Sequence, residues 1–167
     1  AGVIGELGCS WPPHANESKV LQAAAKTQYL TGASISIHPG INEDAPSQIM
    51  DILVESKADP SRVIIGHIDR TVADRTKLKE LADRGCFIEY DLFGQELSYF
   101  PGTPRFARPG DAHRLDQIEW LISEGYGKQV LISHDIGRKS FLVRYGGFGY
   151  GHILDVIVPW MRVPGHK

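Results

Sequence analysis

Glu6, His38, His67 and Asp135 are spaced like ligands delivered one at a time by successive elements of one fold. Each follows an apolar run: Val3-Ile4-Gly5 before Glu6, Ser34 to Ile37 before His38, and Val63 to Gly66 before His67. A fourth run, Phe87-Ile88-Glu89-Tyr90, leads to Asp91, and a fifth, Val130-Leu131-Ile132-Ser133-His134, leads to Asp135. Imidazole and carboxylate together suit zinc, manganese or iron(II). Taken singly, each has an ordinary structural explanation, a salt bridge for Glu6 or a hydrogen-bonded core histidine for His38. Four such residues at the ends of consecutive apolar runs are better explained by a metal site.

Such convergence requires parallel strands. In a β/α barrel the C-terminal strand ends meet at one face, where side chains distant in sequence share a site. The segments between the runs have helical periodicity and matching caps. Asn16 is expected to cap a helix carrying Val20, Leu21, Ala24 and Ala25 that stops at Gly32. Asp44 with Pro46 opens a second, with Ile49, Ile52 and Leu53 inward, ending before Asp59-Pro60. A third runs through Leu78, Leu81 and Ala82 to Gly85. A fourth opens at Asp111, carries Leu115, Ile118, Leu121 and Ile122, and ends at Gly125. Alternating strand and helix with near-continuous apolar strands indicates an α/β fold with a parallel sheet buried on both faces. Periodicity alone does not separate a barrel from an open doubly wound sheet.

The chain of 167 residues has 18 Lys and Arg against 20 Asp and Glu, a formal net charge of −2 without a basic stripe. That excludes the pattern selected by phosphate backbones, so the expected partner is a small-molecule substrate, with neither nucleic acid nor membrane involved. A homo-oligomer is compatible with it. No apolar stretch reaches the roughly 20 residues that span a bilayer. Cys9 and Cys86 fall at opposite ends of a parallel barrel, which opposes a disulfide and fits a reducing, cytoplasmic compartment.

Several residues around the strand ends are candidates for substrate contact. Asp69 and Arg70 follow His67 in a loop at the same face, where Arg70 can hold an anion through its bidentate fork, and Tyr90 is a second candidate. The Pro- and Gly-rich connection from Phe93 to Asp111, with Tyr99, Phe100, Arg105, Phe106 and Arg108, is expected to shape a substrate site. The stretch Tyr145 to His152 lacks a P-loop or dinucleotide register and reads as a mobile aromatic loop. In Ser133-His134-Asp135, regular strand alternation would send only one of His134 and Asp135 inward, and Asp135 is the expected ligand.

The ordered set Gly2-Val3-Ile4-Gly5-Glu6-Leu7-Gly8-Cys9, Ile37-His38-Pro39-Gly40, Gly66-His67-Ile68-Asp69-Arg70, Glu89-Tyr90-Asp91-Leu92-Phe93-Gly94 and Ser133-His134-Asp135 resembles the phosphotriesterase family, within the amidohydrolase superfamily of metal-dependent hydrolases. The resemblance implies a TIM (β/α)8 barrel, here the part from about strand 4 to strand 8, as one partial domain over residues 1–167. It implies two divalent metal ions, zinc by preference. Glu6 would bridge them, His38 and His67 would hold the second, and Asp135 the first. The family's His-x-His pair on its first strand and its last helical segment have no counterpart here, so the chain reads as a fragment.

The implied activity is cleavage of a small ester or amide by a metal-bridging hydroxide, with Asp135 as the catalytic proton carrier. The animal branch points to an N-acyl compound such as N-acetyltaurine or an N-acetyl amino acid, with Arg70, Arg138 and Arg144 at its anionic end. The alternatives are a phosphotriester or lactone hydrolase on the same site, and a non-catalytic truncated scaffold. A mononuclear deaminase is disfavoured, because Pro39-Gly40-Ile41-Asn42 supplies no acid after His38.

Overall fold

The computed structural model describes residues 2–95 and 109–163. Backbone contacts divide the chain into two units, Ala1–Glu89 and Tyr90–Lys167. In the first, β1 (Ile4–Gly8), β2 (Ile35–His38), β3 (Val63–Ile65) and β4 (Phe87–Tyr90, ending in the second unit) lie in sequence order. The β1–β2, β2–β3 and β3–β4 pairs are all parallel. Ile35 and Ile37 stand opposite Val63 and Ile65, and all four are fully buried. Alternation therefore leaves Ser36 and His38 on the other face of β2.

Three helices supply the apolar layer. α1 (Ala15–Thr31) buries Leu21, Ala24 and Ala25, α2 (Ala45–Glu55) buries Ile49, Met50 and Leu53, and α4 (Arg75–Asp83) buries Leu78, Leu81 and Ala82. Each fully buried Leu or Ile removes enough apolar surface from water to contribute about 1.5–3 kcal/mol. A short α3 (Ile68–Thr71), not foreseen from periodicity, precedes α4. Gln28, buried on α1, donates to the Arg62 carbonyl at 3.1 Å and accepts from the Asp59 N–H at 2.7 Å, tying α1 to the turn that enters β3.

The caps correct the sequence expectation in one place. His14, not Asn16, caps α1: its Nδ1 accepts from the Asn16 N–H, and Glu17 accepts from the His14 N–H at 2.6 Å. This reciprocal pair satisfies two N-terminal donors, and the Ser10 N–H and hydroxyl also donate to the Glu17 carboxylate, at 3.1 and 2.7 Å. Val20, expected on the inward stripe, is half exposed. Gly32 closes α1 at φ 70, as expected from its place after the helix.

In the second unit, α5 (Asp111–Ser123) buries Leu115, Ile118 and Leu121, while Ile122 is largely exposed, contrary to its place in the expected stripe. β5 spans only Val130–Ile132, so the extended geometry assumed through Asp135 stops short. Beyond it the Ser133 N–H donates to the Tyr90 carbonyl and the Phe93 N–H to the Ser133 carbonyl. The glycine-rich stretch folds back on the residues just before it: the Gly147 N–H donates to the Leu142 carbonyl and the Gly149 N–H to the Phe141 carbonyl. A Cβ at Gly147 would lie 2.2 Å from the Phe141 carbonyl carbon, so glycine there serves close backbone approach. Tyr145, Phe148 and Tyr150 are exposed. A short π-helical turn (Ile153–Ile157) leads into α6 (Val158–Met161). The residues expected to shape a substrate site between 96 and 108 lie outside the described part.

Cys9 and Cys86 are both buried thiols. Burial pushes the Cys86 thiol up to about 12; burial, and then the Glu17 carboxylate, push Cys9 up to about 11. A raised folded-state value favours the protonated fold, so this stability is complete below the unfolded thiol value of about 8.5 and is lost as pH rises through about 11 to 12. Neither thiol should react with an aromatic disulfide reagent in the native protein at pH 8, and both should react on unfolding, as mass spectrometry would show. No helix among the described residues is long and apolar enough to cross a membrane.

Candidate metal centre

Glu6, His38 and His67 come together, each by a different local device. Between Ile4 and Leu7, β1 advances three residues while β2 advances two, from Ile35 to Ile37. Glu6 therefore sits in a bulge inside β1 and not at its end, and the bulge re-aims its side chain. Gly5 makes the bulge possible: its φ is 115, and a Cβ there would lie 2.5 Å from the Ser36 carbonyl oxygen.

His38 ends β2, and its carbonyl accepts from the Cys9 N–H at 2.9 Å, which pins the two strands beside the site. His67 lies two residues past β3, ahead of α3, with a left-handed φ of 54. Its carbonyl accepts from the Thr71 hydroxyl at 2.7 Å, and the Gly66 N–H donates to Ile37. These bonds hold a backbone conformation that non-glycine residues seldom adopt. His67 is buried, whereas Glu6 and His38 remain about half exposed.

The polar atoms converge tightly. His38 Nδ1 lies 2.7 Å from His67 Nε2, and Glu6 Oε1 lies 3.6 Å from the first and 3.3 Å from the second. The imidazoles meet edge to face at 81°. A tetrahedral ion with ligands near 2.0–2.1 Å separates them by about 3.3 Å, so the two carboxylate distances already suit a metal. The closer nitrogen pair shares a proton that an ion would displace.

Arg70 Nη2 donates to His38 Nε2 at 3.1 Å. Because guanidinium only donates, His38 accepts at Nε2 and carries its proton on Nδ1, directed at His67. The donor set, two imidazole nitrogens and one carboxylate oxygen, fits a borderline divalent ion such as zinc. Among the described residues this is a group of three ligand atoms within 4.8 Å of one another.

The remaining candidates are placed less centrally. Asp69 and Asp91 are buried beside His67 and after β4, respectively, in sequence. Tyr90 is fully buried at the end of β4. Asp135 belongs to the second unit, beyond β5, with a left-handed φ of 46. The alternation used to choose it over His134 does not apply there, because the strand has already ended. His134 Nδ1 donates to the Phe93 carbonyl at 3.3 Å. Arg138 and Arg144 lie in the short turns that follow.

Parallel strands alternating with helices, with two imidazoles and a carboxylate gathered on them, define a β/α fold with a candidate metal site. The phosphotriesterase family model matches residues 1–167, and the chain belongs to that family, whose enzymes are metal-dependent. It is 53% identical over its whole length to an N-acetyltaurine hydrolase of Dictyostelium discoideum, covering 45% of that protein. It is 48% identical over 98% of its length to an N-acetyltaurine hydrolase of Xenopus tropicalis, covering 47% of it. The chain thus spans about half the length of these curated relatives.

Among solved structures, it matches the Escherichia coli phosphotriesterase homology protein, complexed with phosphate in its active site, with a TM-score of 0.85 and 30% identity. That match covers all of this chain and 54% of the other. The structural neighbours are phosphotriesterase-like TIM barrels, about half of which this chain represents.

Proposed function

We propose that this chain carries the metal-binding and proton-transferring residues of a hydrolase that cleaves the amide bond of a small anionic N-acyl compound, with N-acetyltaurine the leading candidate. The convergence of Glu6, His38 and His67 carries the reading. The relatives named N-acetyltaurine hydrolase support the substrate.

In this reading Glu6, His38 through Nδ1 and His67 through Nε2 would hold a divalent ion, zinc by preference. By the family resemblance Asp135 would also be a metal ligand. Bound ions of this kind polarise an acyl oxygen and lower the pKa of water from about 16 to about 7. Asp135 accepts the proton of the attacking water and passes it to the departing nitrogen. Water oxygen bonds to the acyl carbon, the C–N bond breaks, and a carboxylate and an amine leave. A cytoplasmic location accords with the two buried thiols.

Arg70 is the better placed of the two candidate substrate residues, since Tyr90 is fully buried while Arg70 lies at the ligand group. With an ion on Nδ1 the neutral His38 ring would carry its proton on Nε2, so the guanidinium would have to leave His38 and would be available to a sulfonate or carboxylate. A charge-assisted bond contributes about 1.5–3 kcal/mol, so Arg70→Ala should raise KM for N-acetyltaurine by roughly 10- to 100-fold. KM for a neutral N-acetyl amide should hold. An equal rise for both would show that Arg70 acts through His38 instead.

The assignment itself is tested by comparing kcat/KM for N-acetyltaurine, a lactone and an organophosphate in the metal-loaded full-length protein. N-acetyltaurine should lead by at least about tenfold, a difference in transition-state binding of about 1.4 kcal/mol. Preference for the lactone or the organophosphate would overturn it.

A further inference from the structure

A buried polar network in the second unit ends on the backbone of Asp135. Asp111, Arg114, Gln95 and His152 are all buried, Arg114 completely. Arg114 Nη1 donates to Asp111 Oδ1 at 2.6 Å, and His152 Nε2 donates to Asp111 Oδ2 at 2.6 Å. The Gly94 N–H donates to the same carboxylate at 3.1 Å, and Arg114 Nη2 donates to the Gln95 carbonyl at 3.3 Å. The Arg114 guanidinium lies 5.8 Å from the Phe93 ring centroid.

The Gln95 side chain completes the connection. Its Nε2 donates to two successive carbonyl oxygens, His134 at 2.9 Å and Asp135 at 3.1 Å. The Asp135 carbonyl also accepts from the Gly137 N–H at 2.9 Å. Capturing the carbonyls on both sides of the Asp135 Cα fixes both adjoining peptide planes, and so fixes where its side chain leaves the backbone.

Two physical costs make this arrangement informative. A non-glycine residue at φ 46 is about 1–2 kcal/mol less favourable than in the right-handed region, and persists where its surroundings over-determine it. A buried Arg–Asp pair brings a desolvation penalty of several kcal/mol that apolar packing would avoid. A network costly to bury and directed at one strained residue suits orientation better than packing.

We infer that Gln95 is a positioning residue for Asp135, itself held in place by Arg114, Asp111 and His152. The inference rests on Asp135 serving as a metal-holding and proton-carrying residue. Gln95 touches neither metal nor substrate; its role is to hold the carboxylate of Asp135 in the direction those tasks need.

The test is a double-mutant cycle on the full-length protein, reading the zinc dissociation constant of the site that Asp135→Asn weakens. Gln95→Met keeps the length of the side chain and removes the donor. Loss of such an outer hydrogen bond typically costs 10- to 100-fold in metal affinity, and that loss is expected in the otherwise native protein. With Asp135→Asn already present, the same substitution should change affinity by less than about twofold, because coupled residues are non-additive.

An equal loss in both backgrounds would show general loosening and overturn the inference, as would unchanged affinity in Gln95→Met. If Asp135→Asn alone left zinc affinity and hydrolysis unaltered, the underlying role of Asp135 would fail, a result distinct from failure of Gln95. Should Gln95→Met not fold, Gln95→Asn takes its place in the cycle, because the shorter amide cannot span both carbonyls. The same loss in the native background supports the inference, and an equal loss in both backgrounds overturns it.

Discussion

His67→Asn is expected to lower zinc affinity by more than about 100-fold, above the range for losing a mere outer-shell partner, and to remove hydrolysis with it. His67 is the buried member of the ligand group, and its Nε2 lies 2.7 Å from His38 Nδ1 and 3.3 Å from Glu6 Oε1. Without it the ion keeps only two half-exposed ligands from the first unit. Asn is the informative replacement because it tolerates a positive φ better than most residues, and the native φ is 54. Alanine would mix backbone strain with ligand loss. Calorimetric zinc titration measures the effect, and thermal unfolding without zinc should show little change. An unfolded apo protein would instead make His67 a structural residue.

The second large effect is on folding. Gly5→Ala should destabilise the protein by about 3 kcal/mol or more, combining backbone strain with overpacking. At φ 115 an L side chain is strained in any case, and its Cβ would meet Ser36 O at 2.5 Å and Leu7 N at 2.8 Å. Both are backbone atoms of the β1–β2 ladder, so neither yields as a flexible side chain would. The bulge would have to flatten, carrying Glu6 away from the histidines. Urea denaturation would report the stability loss, and zinc titration of the folded fraction would report the misplaced carboxylate. Stability within about 1 kcal/mol of the native protein, the size of an ordinary surface change, would contradict the part assigned to the bulge.

Much of this architecture was legible in the order of residues. Ile35, Ile37, Val63 and Ile65 read as buried strand positions because β-branched apolar runs bounded by Gly and Pro leave little alternative. The strand-terminal position of His38 was legible because the strand stays regular up to it. Helices with a clear apolar stripe, such as Leu78, Leu81 and Ala82 in α4, followed the same logic.

The less legible features depend on backbone turns that contacts impose. Val3-Ile4-Gly5-Glu6 reads as an uninterrupted strand, and only pairing with β2 reveals the bulge. His67 and Asp135 both read as strand continuations, yet each lies past the strand end in a left-handed conformation held by neighbouring hydrogen bonds. His14 is a less usual cap than Asn16, and it caps α1 because Glu17 closes the box with it. Gln95 and His152 carry no periodic signal, while Asp111 resembles an ordinary first-turn acid. Their connection exists only once the chain has folded.

The most direct measurement is a crystal structure of the zinc-soaked protein with anomalous scattering recorded across the zinc absorption edge. A peak is expected within about 2.0–2.2 Å of His38 Nδ1, His67 Nε2 and a Glu6 carboxylate oxygen, with the His38–His67 nitrogen contact opened from 2.7 Å toward the tetrahedral edge of about 3.3 Å. Zinc bound elsewhere, with Glu6, His38 and His67 still bonded to one another, would contradict their assignment as the metal centre.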